Sequence, residues 1–511
     1  MAPCLKCGQR PTAGGDKLQM CGGCLTAVYC NRVCQRADWA EHRVVCDAFA
    51  ATRDEEARKL VSAARCGDLE EVKVLLEAGA HANKAVDGWT PLMIASWRGH
   101  EAVVAALLEA TIEVNRTGAE GRTALLLASE RGESAVVAAL LQAGADVDAT
   151  FGHGHTSLYE AASNGHEVVL AALLRASADV DKAETHGGAT PLMVASEEGN
   201  EAVVMALLQA GSDPNRARVD KCTALMLASQ GDHGAIVTAL LGAGSDANMT
   251  RLDGLTALML AVYQGYLGVV TVLLEAGAEV AASDDHGLTA LHYTTYQGCL
   301  SIVTALLEAG AEVDKANDHG ETVLTLASRR GHGAIVGALL GAGSDANLTR
   351  SDGCTALMLA ACLGYMAIVT ALLEAGAEVD KANDHGETAL TLASQRGHGA
   401  IVGALLGAGS DANLTRSDGC TALMLAACQG YMAIVTALLE AGAEVDTVDD
   451  QGDTALICAA HKGYLAIVTA LLEAGVVVDT ENVRGYTALH YTTDQGNGAV
   501  VAVLRLWRCS G

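Results

Sequence analysis

Large aromatic side chains are scarce in this chain. Only 3% of its 511 residues are aromatic, and it contains 2 Phe, 4 Trp and 5 Pro. Large rings usually fill a deep globular core, so this composition argues against a single thick core. Alanine, leucine, glycine and valine dominate instead, and they favour a thin core of small residues that is renewed along the chain.

Positive charge is also in short supply. The sequence has 33 Lys and Arg against 61 Asp and Glu, which gives a formal net charge of −28. Nucleic-acid binding depends on neutralising phosphates, so a surface this acidic argues against it. The simplest consequence of the charge is solubility. We therefore expect protein partners and no nucleic acid.

Long apolar segments are missing as well. The stretch GAIVGALLGAGS from Gly333 is among the longest uncharged runs, and it is too short to span a bilayer. The first residues, MAPCLKCGQR, contain no apolar leader segment. We expect no membrane insertion and a cytoplasmic location, with nuclear entry left open. In such a reducing compartment the 16 cysteines should be thiols or metal ligands.

A repeat of 33 residues, with one step of 34, makes up most of the chain. Its pattern T-x-L-x-x-A/T predicts a first helix, because threonine is a good N-cap and Pro91 and Pro191 suit the first helical position. A glycine nine residues later ends that helix, and a following AIVTALLEAG-like segment has the apolar spacing of a second helix. The pattern starts at Thr90, Thr123, Thr156, Thr190, Thr223, Thr256, Thr289, Thr322, Thr355, Thr388, Thr421, Thr454 and Thr487.

This unit resembles the ankyrin repeat, and the segments TALHYT from Thr289 and from Thr487 lie closest to that family's T-P-L-H-x-A. The resemblance covers residues 54–508, with an N-terminal capping repeat at 54–83 and thirteen further repeats at 84–508. It implies an all-α repeat solenoid of helix pairs joined by β-hairpin or turn fingers. Proteins of this family bind other proteins, so a protein-binding role is expected.

Two regions of the array stand apart from the other repeats. In the repeat of Thr223, Lys221 and Asp232 replace the glycines that form turns elsewhere, and we expect a locally altered turn because left-handed backbone disfavours other residues. Residues 310–375 and 376–441 are near-identical copies of one block. Their few differences include Arg329 against Gln395.

The N-terminal segment is rich in potential metal ligands, with seven cysteines and one histidine between residues 4 and 46. They fall into four pairs, and eight ligands fill two tetrahedral zinc sites with no open position, so both sites would be structural. Spacing alone leaves three ways of combining the pairs. The pairs are Cys4 with Cys7, Cys21 with Cys24, Cys30 with Cys34, and His42 with Cys46.

The last pairs belong to a longer motif, Y-C-x3-C-Q-x3-W-x2-H-x3-C, from Tyr29 to Cys46. It closely resembles the MYND zinc finger. The resemblance implies a small zinc-stapled α+β finger at 4–46, followed by a short linker at 47–53. The family interleaves its sites, which implies one zinc ion on Cys4, Cys7, Cys30 and Cys34, and a second on Cys21, Cys24, His42 and Cys46.

MYND fingers bind short proline-containing peptides of partner proteins. The resemblance therefore implies a peptide groove at Gln35 and Trp39. A simpler reading is also open, in which Trp39 is only the core ring of this small domain. Neither Gln35 nor Trp39 is a predicted zinc ligand.

Signals of catalysis are missing. HEAVV at His100 and HEVVL at His166 lack the second histidine of a zinc protease motif, and no phosphate-binding loop or nucleophile elbow occurs. The sequence therefore predicts a monomeric, non-enzymatic adaptor or scaffold. The alternative is a transcription or chromatin regulator that is recruited to nucleic acid or acts on it.

The ankyrin family places its variable, ligand-facing residues in the finger tips and at the end of the first helix. Aromatic and arginine side chains at those positions are the usual anchors of interfaces. For any single residue the simpler reading is exposure without a partner. The candidates for partner binding are Trp89, Trp97, Arg98, Tyr263, Tyr296, Arg329 and Arg330.

Overall fold

The computed structural model describes residues 19–20, 28–29, 54–110, 112–495 and 497–510. The zinc ligands, Gln35, Trp39 and the predicted linker at 47–53 lie outside these residues. Strand β1 (Gln19–Met20) pairs antiparallel with β2 (Val28–Tyr29), with Met20 opposite Val28. The chain divides into two units, Met1–Asp246 and Ala247–Gly511.

The described residues of the first unit form helix pairs, apart from β1 and β2 and a 3₁₀ turn at Ala119–Gly121. The first helices of the pairs are α1 (54–66), α3 (Pro91–Trp97), α5 (Ala124–Arg131), α7 (Ser157–Ser163), α9 (Pro191–Glu197) and α11 (Ala224–Gln230). The second helices are α2 (Leu69–Glu77), α4 (Glu101–Glu109), α6 (Ser134–Gln142), α8 (Glu167–Arg175), α10 (Glu201–Gln209) and α12 (Gly234–Gly242).

The second unit continues the same alternation. Its first helices are α13 (Ala257–Gln264), α15 (Ala290–Gln297), α17 (Val323–Arg330), α19 (Ala356–Leu363), α21 (Ala389–Arg396), α23 (Ala422–Gln429), α25 (Ala455–Lys462) and α27 (Ala488–Gln495). Its second helices are α14 (Leu267–Glu275), α16 (Leu300–Glu308), α18 (Gly333–Gly341), α20 (Met366–Glu374), α22 (Gly399–Gly407), α24 (Met432–Glu440), α26 (Leu465–Glu473) and α28 (Gly498–Ser510). The predicted all-α repeat solenoid is therefore confirmed.

The repeated threonines begin the first helices as predicted. The hydroxyl of Thr256, for example, accepts the backbone N–H of Met259 at 3.2 Å, which satisfies one of the free donors of the first turn. Thr289 differs, because its own backbone N–H donates to Nδ1 of the buried His292 at 3.1 Å. Nε2 of His292 lies 3.2 Å from the carbonyl of Glu321 in the next finger, and burial lowers the pKa of His292. A neutral imidazole therefore links two repeats.

The core is thin and continuous within each unit. Helix α21 packs against both α19 and α23, and its Leu390 and Ala393 are almost completely buried. The paired second helix α22 contributes Val402 and Leu405, which are also buried. Because each first helix lies between two others, small and medium aliphatic side chains fill the space, as the composition predicts.

Six of the fingers contain a single β-bridge, and among the described residues of the array no finger forms long strands. Ser283 pairs with Thr289, and Thr349 with Thr355. Neighbouring fingers are joined by a backbone bond, such as Ser351 N–H to the carbonyl of His319 at 3.2 Å. The fingers therefore form a row that is held by main-chain contacts, which leaves side chains at their tips free to face outwards.

A row of side-chain acceptors joins neighbouring repeats in the segments between a second helix and the finger that follows it. The side chain of Asn347 accepts the backbone N–H of Glu378 at 2.7 Å, and that of Asn413 accepts the N–H of Glu444 at 2.8 Å. In the repeat between them the same role belongs to Asp380, which accepts the N–H of Asp411 at 3.1 Å. Asparagine and aspartate thus provide the same acceptor.

The turn at Lys221 keeps its shape without glycine. Lys221 has φ 63°, close to φ 79° at Gly254 in the next repeat. Its N–H donates to the carbonyl of Arg218 at 2.9 Å, as the N–H of Gly254 donates to that of Arg251. Asp232 also adopts positive φ, at 61°. The prediction of an altered turn is wrong, because bridge and turn contacts hold these residues in the left-handed region despite its steric cost.

Removing this strain should stabilise the protein. We expect Lys221→Gly to raise the midpoint of urea unfolding, by the equivalent of about 0.5–1 kcal/mol, because glycine adopts left-handed backbone without a clash at Cβ. Gly254→Ala is the matched control and should lower the midpoint, since a Cβ there would lie 2.8 Å from Cα of Asp284. A lower midpoint for Lys221→Gly would show that the lysine side chain stabilises the turn.

Candidate protein-binding surfaces

In the first unit the structure brings together Trp89, Trp97 and Arg98. The indole rings of Trp89 and Trp97 have centroids 5.8 Å apart. The guanidinium carbon of Arg98 lies 4.7 Å from the centre of the Trp97 ring, and that of Arg131 lies 5.5 Å from it. We call these four side chains the Trp97 surface. It combines aromatic area with two positive charges.

Repeat geometry explains why these residues meet. Trp97 is the last residue of α3 and Arg98 is its C-cap, while Arg131 is the last residue of α5. Because α3 and α5 pack side by side, their C-terminal ends lie at the same level. Arg131 was not among the predicted residues, although it occupies the same repeat position as Arg98, eight residues after the threonine.

A cavity of about 200 Å³ adjoins this surface at Trp89. Its lining includes the apolar residues Met93, Ala119 and Leu127 and the charged residues Glu120 and Arg122. Arg122 pairs with Glu130 at 3.2 Å and its guanidinium carbon lies 4.9 Å above the Phe151 ring. Phe151 lines a second, larger cavity with residues that include Glu120, Arg122, His153, His155 and Glu160.

In the second unit Tyr263 and Tyr296 also meet. Their ring centroids are 5.7 Å apart, and both rings are more than two-fifths exposed. Tyr293, which was not predicted, lies 5.9 Å from each ring and donates its hydroxyl to Asp284 at 2.5 Å. Burial and the Asp284 carboxylate raise the pKa of Tyr293. On the other side of the cluster, the guanidinium carbon of Arg330 lies 4.1 Å from the centre of the Tyr296 ring.

Arg329 is the predicted residue that lies apart from this cluster. Its guanidinium pairs with Glu321 at 3.0 Å, and Glu321 also pairs with Arg350 at 3.4 Å. In the copied block Gln395 replaces Arg329, and Glu387 keeps only the ion pair with Arg416 among the described residues. Arg329 therefore stabilises the array itself through an internal contact.

Comparisons with known proteins agree with a zinc finger followed by an ankyrin array. Models of ankyrin repeats in three copies match overlapping stretches that run from residue 60 to residue 507, and a model of the MYND finger matches residues 4–46. The chain belongs to the ankyrin-repeat proteins. Both modules mediate protein–protein interactions, and the MYND-type finger binds zinc.

One curated relative is similar to a short stretch of this chain. Rat oxysterol-binding protein-related protein 1 is 42% identical over 72 residues, which is 12% of this chain and 8% of the relative. Because the match covers so small a share of that protein, its activity is not transferred to this chain.

Among the described residues of this ankyrin-repeat protein, no helix is long and apolar enough to cross a membrane. In the same residues, no group of three His, Cys, Asp or Glu is arranged to hold a metal ion.

Two cysteines of the array interact across neighbouring repeats. Cys428 lies near the end of α23 and Cys458 lies in α25. Interaction with the Cys458 thiol lowers the pKa of Cys428 to about 6 despite burial. The same contact and burial raise the pKa of Cys458. In the copied block Cys362 corresponds to Cys428, but Leu392 lies where Cys458 would be.

Cys428 should therefore react as a thiolate at lower pH than an ordinary cysteine. We expect the rate of its alkylation by iodoacetamide, measured by mass spectrometry of the separate peptides, to rise with a midpoint near pH 6. Cys458→Ala removes the interacting thiol and should move that midpoint upwards, while leaving the profile of Cys362 unchanged. Equal profiles of Cys428 in the wild type and in Cys458→Ala would contradict this interaction.

Proposed function

We propose that the chain is a non-enzymatic adaptor that holds two partners at once. The finger binds a proline-containing peptide through Gln35 and Trp39, and the ankyrin array binds a protein. The observation that carries the proposed array-binding role is the pairing of aromatic rings with exposed guanidinium groups at the ends of first helices, at Trp97 and at Tyr296. Such side chains dominate the energy of protein interfaces.

Charge supports protein partners over nucleic acid. A net charge of −28 repels phosphates, so the chromatin-regulator alternative lacks the basic surface that it would need. We place the adaptor in the cytoplasm, where reduced thiols such as Cys428 and Cys458 are stable. The choice of partner then depends on local surfaces whose charge differs from the acidic net charge of the chain.

The finger holds two structural zinc ions in this proposal. Seven thiolates and one imidazole are the donors that zinc prefers, and eight of them complete two tetrahedral sites. Cys4, Cys7, Cys30 and Cys34 would hold one ion, and Cys21, Cys24, His42 and Cys46 the other. When bound, the ions supply cross-links in a segment too small to fold on a hydrophobic core alone.

Metal analysis tests this part. We expect two zinc ions per purified chain, and strong chelation should leave the helical circular-dichroism signal nearly unchanged, because the described residues hold no group of metal ligands. A ratio of one ion per chain, or a large loss of helix on chelation, would contradict the two-site finger.

Affinity purification with the full chain tests the adaptor. Trp39→Ala should lose one set of bound proteins, because an indole packed on a proline ring contributes roughly 2 kcal/mol. Gln35→Ala should weaken the same set less, since a lost hydrogen bond costs about 1 kcal/mol. Tyr296→Ala should lose a different set, because its ring is exposed in the array.

Zinc content serves as the control in these variants. It should stay at two in Trp39→Ala if Trp39 lines a groove, and it should fall if Trp39 is only a core ring. Zinc loss in Trp39→Ala, together with unchanged partners in Gln35→Ala, would overturn the groove. Identical protein sets lost by Trp39→Ala and Tyr296→Ala would overturn the two-partner adaptor.

A further inference from the structure

We infer that the Trp97 surface binds an acidic segment of a partner protein that carries one apolar side chain close to its carboxylates. This inference rests on the proposed function, because it names the chemistry of a partner that the ankyrin array holds. Its basis is the combination of two guanidinium groups, an indole pair and a small apolar cavity in one place.

The first step concerns the charges. Arg98 and Arg131 are both exposed and both lie against the ring of Trp97, so two like charges share one indole. Neither guanidinium forms an ion pair with a carboxylate of the described residues, whereas neighbouring Arg122 pairs with Glu120 and Glu130. An anion bound between the two guanidinium groups would relieve their repulsion and form charge-assisted hydrogen bonds.

The second step concerns the cavity beside Trp89. At about 200 Å³ it is smaller than the 300–1,000 Å³ typical of small-molecule sites, so it suits one side chain of a peptide. Met93, Ala119 and Leu127 make its lining largely apolar. A leucine-sized group would bury its surface there next to the Trp89 ring.

The third step relates the two parts. From Trp89 through Trp97 to Arg131 the rings and guanidinium follow one another at 5.8 and 5.5 Å. The Trp89 ring and the Arg131 guanidinium are therefore at most about 11 Å apart, or about three residues of extended chain. The ligand is a segment in which carboxylates lie within about that spacing of an apolar residue.

The fourth step concerns selection between partners. The chain carries 61 Asp and Glu, so most of its surface repels an acidic peptide and attracts a basic one. At the Trp97 surface Arg98 and Arg131 place two positive charges on one ring, and neither forms an ion pair among the described residues. The two arginines attract an acidic segment and repel a basic one. The rest of the acidic surface repels the acidic segment, so its binding is restricted to the Trp97 surface.

Two labelled peptides and the full chain test the inference by fluorescence anisotropy. One peptide carries a leucine followed three residues later by Glu-Glu-Asp, and the other carries Gln-Gln-Asn in place of the acidic residues. We expect the acidic peptide to bind about tenfold more tightly, and Arg131→Glu to remove that difference, since charge-assisted hydrogen bonds are worth about a factor of ten or more.

Arg175→Glu is the matched control. Arg175 is also the last residue of its helix, α8, but α8 is a second helix and Arg175 contacts no residue of the Trp97 surface among the described ion pairs and ring contacts. This variant has the same net charge as Arg131→Glu and should change binding less than twofold. Trp97→Phe should weaken both peptides alike, because it reduces the aromatic area and leaves the charges in place.

Two outcomes would overturn the inference: equal binding of both peptides, or equal loss of the acidic peptide in Arg131→Glu and Arg175→Glu. Affinity purification separates this failure from failure of the adaptor. If the array retains partner proteins but neither peptide is distinguished, the adaptor stands and the acidic ligand is wrong. If the acidic peptide binds as expected but the array retains no protein, the inferred chemistry stands and the adaptor is wrong.

Discussion

Each first helix of the array is buried between the first helices of its neighbours, and this lateral packing sets what every other part of a repeat can do. In α21 the side chains of Leu390 and Ala393 have almost no exposed area because α19 and α23 cover them. Only the two ends of such a helix remain outside the core. The N-terminal end is occupied by the threonine cap and the finger, so variable side chains are confined to the finger tips and to the C-terminal end.

The two binding surfaces follow from that confinement. Trp97 with Arg98, and Tyr296 with Arg330, lie at the ends of first helices or beside them, where they remain at least partly exposed. Because adjacent first helices end at the same level, a residue from one repeat meets a residue from the next. Surface chemistry is therefore a property of pairs of repeats, and it changes along the array without any change in the fold.

The sequence predicted most of the fold, since a threonine cap, a terminating glycine and an apolar spacing are local signals that recur every 33 residues. It predicted Trp89, Trp97 and Arg98 as site residues, and the structure brings them together. Contacts between repeats were harder to predict. Arg131 was missed although it shares the repeat position of Arg98, and Arg329 was predicted as a partner residue although Glu321 engages it. The shape of the turn at Lys221 likewise depends on contacts with surrounding residues, and the identity of one residue in the sequence does not predict those contacts.

The alternation of Asn347, Asp380 and Asn413 in the acceptor row has a consequence for the ageing of the protein. Hydrolysis of an asparagine side chain to a carboxylate leaves an oxygen where the amide oxygen accepts the N–H of the next repeat. Only the weaker contact would be lost, such as the bond from Nδ2 of Asn347 to the carbonyl of Gly376 at 3.4 Å. Asp380 already forms the same link as a carboxylate, at 3.1 Å to the N–H of Asp411. Conversion of these asparagines to aspartate would therefore keep the link between repeats, at the expense of added negative charge.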